Sequence, residues 1–138
     1  AMSLHRGGCL CGAVRYEIEG VLAAIQICHC GQCRKAQGTA FATNIPVQTE
    51  RLRFVSGREG IHEFESSPGK LRAFCSNCGS PIYSRRRDTP DTLRIRAGGL
   101  KGPVAARPLA HFHVGSKADW WLISDALPQF EAAYVPAA

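Results

Sequence analysis

The sequence has no hydrophobic run long enough to cross a lipid bilayer. Its longest uninterrupted aliphatic stretch covers only residues 21–25, whereas a transmembrane helix needs about 20 residues. The N-terminal sequence AMSLHRGG also lacks the apolar segment of a signal peptide, and Ala1 and Met2 resemble a remnant of cloning. We therefore expect a cytoplasmic protein that makes no contact with a membrane.

The chain also lacks an internal repeat and any linker that would divide it. With 45% hydrophobic and 20% charged residues, its composition is typical of a soluble globular protein and excludes an intrinsically disordered chain. A length of 138 residues is that of one domain able to bury its own core. We therefore expect residues 1–138 to form a single domain.

The sequence has little negative charge, and its formal net charge is +6. A basic chain can bind nucleic acid, and Arg85, Arg86 and Arg87 form the densest cluster of cations. However, that sum counts the cysteines as neutral, and it falls to +3 if all seven bind two zinc ions as thiolates. We interpret the three arginines as a solvated basic hairpin, with an anionic partner as the alternative, and do not expect nucleic-acid binding.

Short segments in which apolar and polar residues alternate recur along the chain. In AVRYEIE, the apolar Val14, Tyr16 and Ile18 alternate with charged residues, which is typical of a strand with one buried face. Turn sequences such as SGREG, SPGK and RRDTPD separate the segments. The pattern predicts a mainly β protein. Similar segments cover residues 41–47, 52–55, 61–64, 71–74, 81–84, 93–97 and 109–114.

One segment interrupts the β pattern. The sequence GQCRKAQG, residues 31–38, has no β-branched residue and ends in glycine. These features predict a helix of two turns or fewer that begins just after Cys30. The C-terminal sequence SDALPQFEAAY has room for one more helical turn, which Pro128 limits.

Cys75 and Cys78 form a CxxC pair followed by glycine, a tight turn that presents two sulfurs to one ion. In a reducing compartment, cysteines bind metal more often than they form disulfides. A structural zinc ion needs four ligands, and the glycine-flanked Cys9 and Cys11 are the natural second pair. Such a site would close a loop of 64 positions. A structural zinc ion contributes an apparent binding free energy on the order of 10 kcal/mol, which is enough to offset the entropy cost of closing that loop. The alternative is four buried thiols without metal.

The other three cysteines, Cys28, Cys30 and Cys33, have CxCxxC spacing. They can converge on one ion if Cys33 lies in the first turn of the predicted helix, where the helix N-terminus and the neighbouring Arg34 and Lys35 favour thiolates. Three protein ligands with an open fourth position are typical of catalytic zinc. We predict a second zinc ion here, more labile than the first because it has fewer ligands.

A histidine could supply a fourth ligand and make the second site purely structural. His29 should face away from the metal because adjacent side chains diverge, while His111 and His113 should share one face of a strand. His5 lies near the first cysteine pair instead. The histidines considered as a fourth ligand are His29, His62, His111 and His113.

These motifs resemble the glutathione-dependent formaldehyde-activating enzyme (Gfa) family, also called the centromere protein V family. The resemblance extends over nearly the whole chain, through GGCLCGAVRYEI, CHCGQCRKAQGTAF, FCSNCGSPIY, HFHVGSKADWW and LPQF, and no motif cysteine is missing. It implies a β-tent fold, in which two or three short antiparallel sheets surround a structural zinc, with one short helix at the CxCxxC motif.

The resemblance also implies the roles of the cysteines. The CxC and the late CxxC would hold the structural zinc through Cys9, Cys11, Cys75 and Cys78. The middle motif would hold a catalytic zinc through Cys28, Cys30 and Cys33. The implied activity is that of a carbon–sulfur lyase, an S-(hydroxymethyl)glutathione synthase that joins glutathione, or a related small thiol, to formaldehyde or another aldehyde.

Two further expectations concern the site, and one concerns its function. We nominate His29 as the general acid for the nascent alkoxide. Trp120 and Trp121 are expected to be buried anchors of the core, with a ligand groove as the alternative. The alternative function is a non-enzymatic, zinc-stabilised binding module for a protein or nucleic-acid partner, which predicts a closed or dispensable second site.

Overall fold

The computed structural model describes residues 3–133, which form ten strands and one α-helix. The helix, α1, covers Gly31–Gln37, and short 3-10 turns cover Thr49–Arg51, Arg58–Gly60, Ala97–Gly99 and Val114–Ser116. Within this range no helix has the length and apolarity needed to span a membrane. The strands are β1 (Leu4–Gly8), β2 (Arg15–Glu19), β3 (Ile25–Cys28), β4 (Ala42–Gln48), β5 (Leu52–Ser56), β6 (Ile61–Ser67), β7 (Lys70–Cys75), β8 (Pro81–Arg86), β9 (Thr92–Arg96) and β10 (Pro108–Phe112).

The strands form two sheets. A three-stranded antiparallel sheet has the order β1-β2-β5, and a seven-stranded sheet has the order β10-β3-β4-β9-β8-β7-β6. All neighbours in the larger sheet are antiparallel except β10 and β3, which run parallel. The prediction of a mainly β protein is therefore confirmed.

The predicted elements agree with the observed ones except for two strands and the C-terminal segment. Every segment with alternating polarity contains a strand, but the sequence analysis missed β1 and β3. The sequence of β1, LHRGG, contains two glycines, and β3 has only four residues, IQIC, so neither shows a clear alternation. In the C-terminal segment, no helical turn is present among the described residues up to 133, and Tyr134 lies outside them.

The predicted strand at residues 109–114 is too long, because β10 ends at Phe112. His113 has φ 58°, a left-handed backbone conformation that a strand does not accommodate. It precedes the 3-10 turn at Val114–Ser116. The prediction that His111 and His113 share one strand face is therefore wrong.

The helix matches its prediction and owes its boundaries to its terminal residues. The Cys30 side chain accepts a hydrogen bond from the Cys33 amide at the N-terminus, which satisfies one of the amides left free in the first turn. At the C-terminus, Gly38 adopts a left-handed conformation with φ 68°, and its amide donates to the Arg34 carbonyl. The helix therefore begins inside the CxCxxC motif and places Cys33 in its first turn.

The hydrophobic core lies between the two sheets. On the larger sheet, Ile45 and Ile95 are cross-strand partners and both are fully buried. They pack in one cluster with Tyr16 and Ile18 of β2 and with Val14, which precedes β2. The alternating residues of AVRYEIE thus form the buried face of the small sheet, as predicted.

The opposite face of the larger sheet is polar and carries α1. Its cross-strand partners include Asn44 with Arg96, and Ser84 with both Arg72 and Arg94. Arg72 contacts residues of α1, and α1 also contacts β4. We call this surface the helix face.

Close packing between β1 and β2 gives a test of the core. A Cβ on Gly7 would lie 2.5 Å from Cζ and the hydroxyl oxygen of Tyr16 and 2.7 Å from the Gly99 carbonyl oxygen. Gly7→Ala should therefore lower the free energy of unfolding by about 1–3 kcal/mol, measured by urea denaturation with zinc present. Gly98→Ala is the matched control because its Cβ would meet open space, and equal stability of the two variants would contradict this packing.

Candidate metal centres

The first cysteine group comprises Cys9, Cys11, Cys75 and Cys78. Their sulfur atoms all lie within 4.8 Å of one another, with 3.5 Å between Cys9 and Cys11 and 3.8 Å between Cys11 and Cys75. Zinc–sulfur bonds of about 2.3 Å in a tetrahedron place the sulfurs about 3.8 Å apart, whereas a disulfide needs about 2.05 Å. All four are free thiols, and the arrangement fits a four-thiolate zinc site.

Two tight turns present these sulfurs. After β1, the Cys9 amide donates to the Val14 carbonyl at 3.0 Å, and the Val14 amide donates to the Cys9 sulfur at 3.2 Å. After β7, the Gly79 amide donates to the Cys75 carbonyl at 2.8 Å, and Gly79 has φ 78°. A glycine adopts this backbone conformation without steric cost, so the CxxC turn closes as the sequence predicted.

Ser80 joins the two turns, and the sequence analysis missed it. Its hydroxyl oxygen accepts a hydrogen bond from the Leu10 amide at 2.9 Å and lies 3.2 Å from the Cys78 sulfur. Hydrogen bonds from the Ser80 hydroxyl and from the Cys11 and Ser80 amides lower the pKa of Cys78 to about 5. Hydrogen bonds that stabilise a thiolate also favour metal binding.

The second cysteine group comprises Cys28 at the end of β3, Cys30 before α1 and Cys33 in its first turn. The three sulfurs lie within 4.8 Å of one another, and Cys33 is buried. Among residues 3–133, no histidine, aspartate or glutamate ligand atom joins this group. The donor set fits one zinc ion with three protein thiolates and one open position.

The histidines predicted as alternative ligands lie elsewhere. The His62 ring packs against Phe74 with a centroid distance of 5.2 Å, and His5, which was not a candidate for this site, hydrogen-bonds the Gly20 carbonyl at 3.0 Å. His113 lies in the loop after β10. The part of the chain that the structure describes therefore offers no histidine to close the second site.

His29 and His111 form a buried chain of hydrogen bonds with Asp125. The His29 Nε2 atom lies 2.8 Å from His111 Nδ1, and His111 Nε2 lies 3.0 Å from an Asp125 carboxylate oxygen. His29 is fully buried, and its Nδ1 has no hydrogen-bond partner among the described residues. Burial, and after it electrostatic interaction with His111, lower the pKa of His29. The acid/base role of His29 stays a prediction.

Arg72 is the cation that contacts the second cysteine group. Its two terminal nitrogens lie 3.7 and 3.8 Å from the Cys33 sulfur, and its Nε donates to the Ser66 hydroxyl at 3.0 Å. Hydrogen bonds from Cys28 and Cys30, followed by the charge of Arg72, hold the pKa of Cys33 far below its usual range. The guanidinium therefore stabilises negative charge at this sulfur.

The sequence analysis had assigned this electrostatic role to Arg34 and Lys35. Lys35 is exposed, and within the described residues neither side chain donates a hydrogen bond to a cysteine sulfur. The alternation in KLRAFC places Arg72 opposite the buried Leu71 and Ala73. It gives no sign that α1 covers that face, and this is why Arg72 was missed.

Further cations surround Arg72 on the helix face. Arg96 is buried, donates to the Asn44 side chain, and has its pKa lowered to about 10 by burial. The half-buried Lys70 has its pKa lowered to about 8, first by burial and then by Arg94, Arg72 and Arg86. The ligand-free protein thus holds several like charges close together.

Trp120 and Trp121 correct another prediction. Their side chains are 66% and 40% exposed, so the prediction that they are buried anchors is wrong. They lie in a loop beyond β10, where neither sheet covers them. The Trp121 ring contacts the edge of Phe41 at 5.7 Å, and Phe41 lines a groove of about 620 Å³ that also reaches Cys9.

The arginine cluster at residues 85–87 is largely paired. Arg85 donates two hydrogen bonds to the Glu63 carboxylate, at 2.6 and 2.9 Å. Arg87 lies 3.4 Å from Glu65, and Arg86 is exposed. This arrangement accords with a solvated hairpin whose charge is partly neutralised.

The two cysteine groups predict different responses to the same substitution. Zinc-replete protein should contain about two zinc ions per chain. Cys11→Ser should lower the free energy of unfolding by about 3 kcal/mol or more, because it opens the site that joins distant turns. The matched Cys30→Ser should retain about one zinc ion and nearly the parent stability. Elemental analysis and thermal unfolding measure both, and equal destabilisation by the two variants would contradict the assignment.

The lowered pKa of Lys70 predicts that the stability of the protein depends on pH. Between pH 8 and 10.5, the unfolded chain holds the Lys70 proton while the folded protein has released it, so the free energy of unfolding rises with pH. Lys70→Gln should remove this rise and be more stable than the parent at pH 7. The exposed Lys35→Gln serves as the control in urea titrations of zinc-loaded protein, and parallel pH profiles of the parent and Lys70→Gln would refute the prediction.

Comparison with known proteins identifies a family. The family model described as glutathione-dependent formaldehyde-activating enzyme matches residues 4–116. An uncharacterized lyase of Schizosaccharomyces pombe is 29% identical over 101 residues, which cover 73% of this chain and 72% of the relative. A candidate glutathione-dependent formaldehyde-activating enzyme of Colletotrichum graminicola is 27% identical over 77 residues, 56% of this chain and 40% of that protein.

A solved structure is similar over much of the fold. The crystal structure of a Rhodobacter sphaeroides protein has a TM-score of 0.60 and 27% identity, and the match covers 74% of this chain and 97% of the other. The family match spans both cysteine groups and every strand described above. The chain belongs to the glutathione-dependent formaldehyde-activating enzyme family.

Proposed function

We propose that this protein is a zinc-dependent carbon–sulfur lyase that forms and cleaves the adduct of glutathione, or a related small thiol, with formaldehyde. Family membership and a relative named as a lyase support a glutathione-related lyase. The observation that carries the zinc-dependent step is the convergence of Cys28, Cys30 and Cys33 without a fourth protein ligand among the described residues.

The second cysteine group would hold the reactive zinc ion. When bound there, zinc lowers the pKa of a thiol that occupies its open position. Three thiolates around a divalent ion give a net charge of −1, which disfavours the approach of a further thiolate. Arg72 reduces this cost because its guanidinium donates to the Cys33 sulfur and draws negative charge away from the ion.

The reaction itself needs little beyond alignment and a proton. The glutathione sulfur forms a bond to the carbonyl carbon of formaldehyde, and the carbonyl π electrons move to the oxygen, which takes a proton. Cleavage of the carbon–sulfur bond reverses these steps. We retain His29 as the predicted acid/base group. Since its Nε2 is hydrogen-bonded to His111, the proton transfer would have to use Nδ1, which is buried and has no partner among the described residues.

The first cysteine group has a different role in this proposal. Its four sulfurs would fill the coordination shell of a zinc ion bound there, and the group would then offer no position to a substrate. Its contribution is to hold the turn after β1 against the turn after β7, and we assign the second zinc ion to catalysis on this basis.

The test is exchange between free and glutathione-bound ¹³C-formaldehyde, measured by NMR against the uncatalysed rate. Zinc-replete protein should accelerate the exchange. Cys30→Ser should remove about 100-fold or more of the acceleration, and Arg72→Gln about 10-fold with zinc retained. Arg87→Gln, which removes the same charge elsewhere, should match the parent.

Two results would contradict the proposal. Zinc-replete protein that leaves the exchange at the uncatalysed rate would exclude the lyase activity and favour a binding module. Equal affinity of the parent and Cys33→Ser for glutathione, measured by isothermal titration calorimetry, would exclude direct contact between the thiol and the second zinc ion.

A further inference from the structure

The helix face carries a row of cations without acidic neighbours. Sheet register places Lys70 beside Arg86, and Arg72 beside Ser84, which in turn is beside Arg94. No residue that the strands β3, β4 and β6 to β10 place on this face is acidic. The row therefore lacks the carboxylates that pair with cations elsewhere, as Glu63 does with Arg85 on the other face.

Two half-buried members of this row have side chains without a hydrogen-bond or ion-pair partner. Within the described residues, neither the Lys70 side chain nor the Arg94 side chain makes a hydrogen bond or an ion pair. Partly buried cations near one another raise the free energy of the folded protein. An unpaired group of this kind is typical of a site that meets its counter-charge in a ligand.

The row is centred on the residue that contacts Cys33. Lys70 lies two positions from Arg72 on β7, about 7 Å along the strand, and Arg94 lies two strands away, about 10 Å across the sheet. The Arg72 guanidinium contacts the Cys33 sulfur. A molecule whose thiol reaches the second cysteine group would therefore have Lys70 and Arg94 within a few ångströms of its ends.

A cavity beside this row has room for such a molecule. It has a volume of about 350 Å³, and its lining combines the charges of Arg72 and Arg96 with Gln37 at the end of α1 and the rings of Phe64 and Phe74. Volumes of about 300 Å³ and more suit small ligands. Its lining places the cavity against Arg72 and the end of α1, so it adjoins the row at the residue that contacts Cys33.

The geometry points to Lys70 and Arg94 as the residues that recognise the carboxylates of the thiol substrate, an inference that rests on the proposed function. Glutathione carries a carboxylate near each end and its thiol between them. In an extended chain the two carboxylates lie about 10 Å apart, and the backbone positions of Lys70 and Arg94 lie about 12 Å apart along the diagonal of the sheet, a difference that these long side chains can span. The protein would then select thiols flanked by carboxylates over equally reactive neutral thiols.

The experiment separates carboxylate recognition from contact between thiol and metal. Isothermal titration calorimetry on zinc-replete protein would use S-methylglutathione, whose sulfur is blocked, and glutathione diethyl ester, whose carboxylates are blocked. S-methylglutathione should bind the parent, and its affinity should fall about 10-fold in Lys70→Gln and in Arg94→Gln. Arg87→Gln is the control, since Arg87 pairs with Glu65 away from the row.

Three further readouts decide the matter. The diethyl ester should bind the parent and both variants with the same weak affinity. Each variant should raise KM for glutathione about 10-fold and leave kcat unchanged in the NMR exchange assay. Since Lys70→Gln removes an unpaired charge, its ligand-free form should be at least as stable as the parent, and weaker binding would not reflect misfolding.

The inference fails if S-methylglutathione binds Lys70→Gln and Arg94→Gln as tightly as the parent, even when exchange is catalysed. It also fails if a short DNA duplex, and not S-methylglutathione, binds in a manner that depends on these two residues. Conversely, if S-methylglutathione binds in a manner that depends on these two charges but no exchange is catalysed, the result would support carboxylate recognition and contradict the proposed lyase activity.

Discussion

The structure depends on the contact between sulfur atoms that are far apart in the chain. Cys11 and Cys75 are separated by 64 positions, yet their sulfurs lie 3.8 Å apart. One follows a strand of the small sheet, and the other ends a strand of the large sheet. A zinc ion bound by these thiolates would therefore join the two sheets at one end, with a binding free energy larger than the entropy cost of closing the loop.

Strand β7 connects the first cysteine group to the second. Cys75 at its end belongs to the first group, while Arg72, three residues earlier, contacts Cys33 of the second group. A shift of β7 by one residue would move Arg72 to the core face, because side chains alternate along a strand. A zinc ion in the first site would therefore support the register, defined by the pairing of β7 with β6 and β8, that places Arg72 beside the second site.

The sequence allowed most of the elements and the two cysteine groups to be predicted, but not how elements from distant segments meet. The division of seven cysteines into four and three followed from spacing and glycine turns, and their sulfurs do converge in those two groups. Arg72, Ser80 and the unpaired Lys70 and Arg94 depend on cross-strand register and on the position of α1, which no local pattern encodes. Trp120 and Trp121 were mispredicted because residue type indicates burial only where a sheet or helix covers the site.

The central claim is that one metal ion is saturated by protein sulfur while the other keeps an open position. Zinc K-edge X-ray absorption on protein loaded with two zinc ions tests it most directly. Seven sulfurs shared by two ions predict about 3.5 sulfur ligands and about 0.5 oxygen ligands per zinc, rising to about four sulfurs when glutathione is added. A spectrum that already shows four protein ligands per zinc, and that glutathione does not change, would contradict the account.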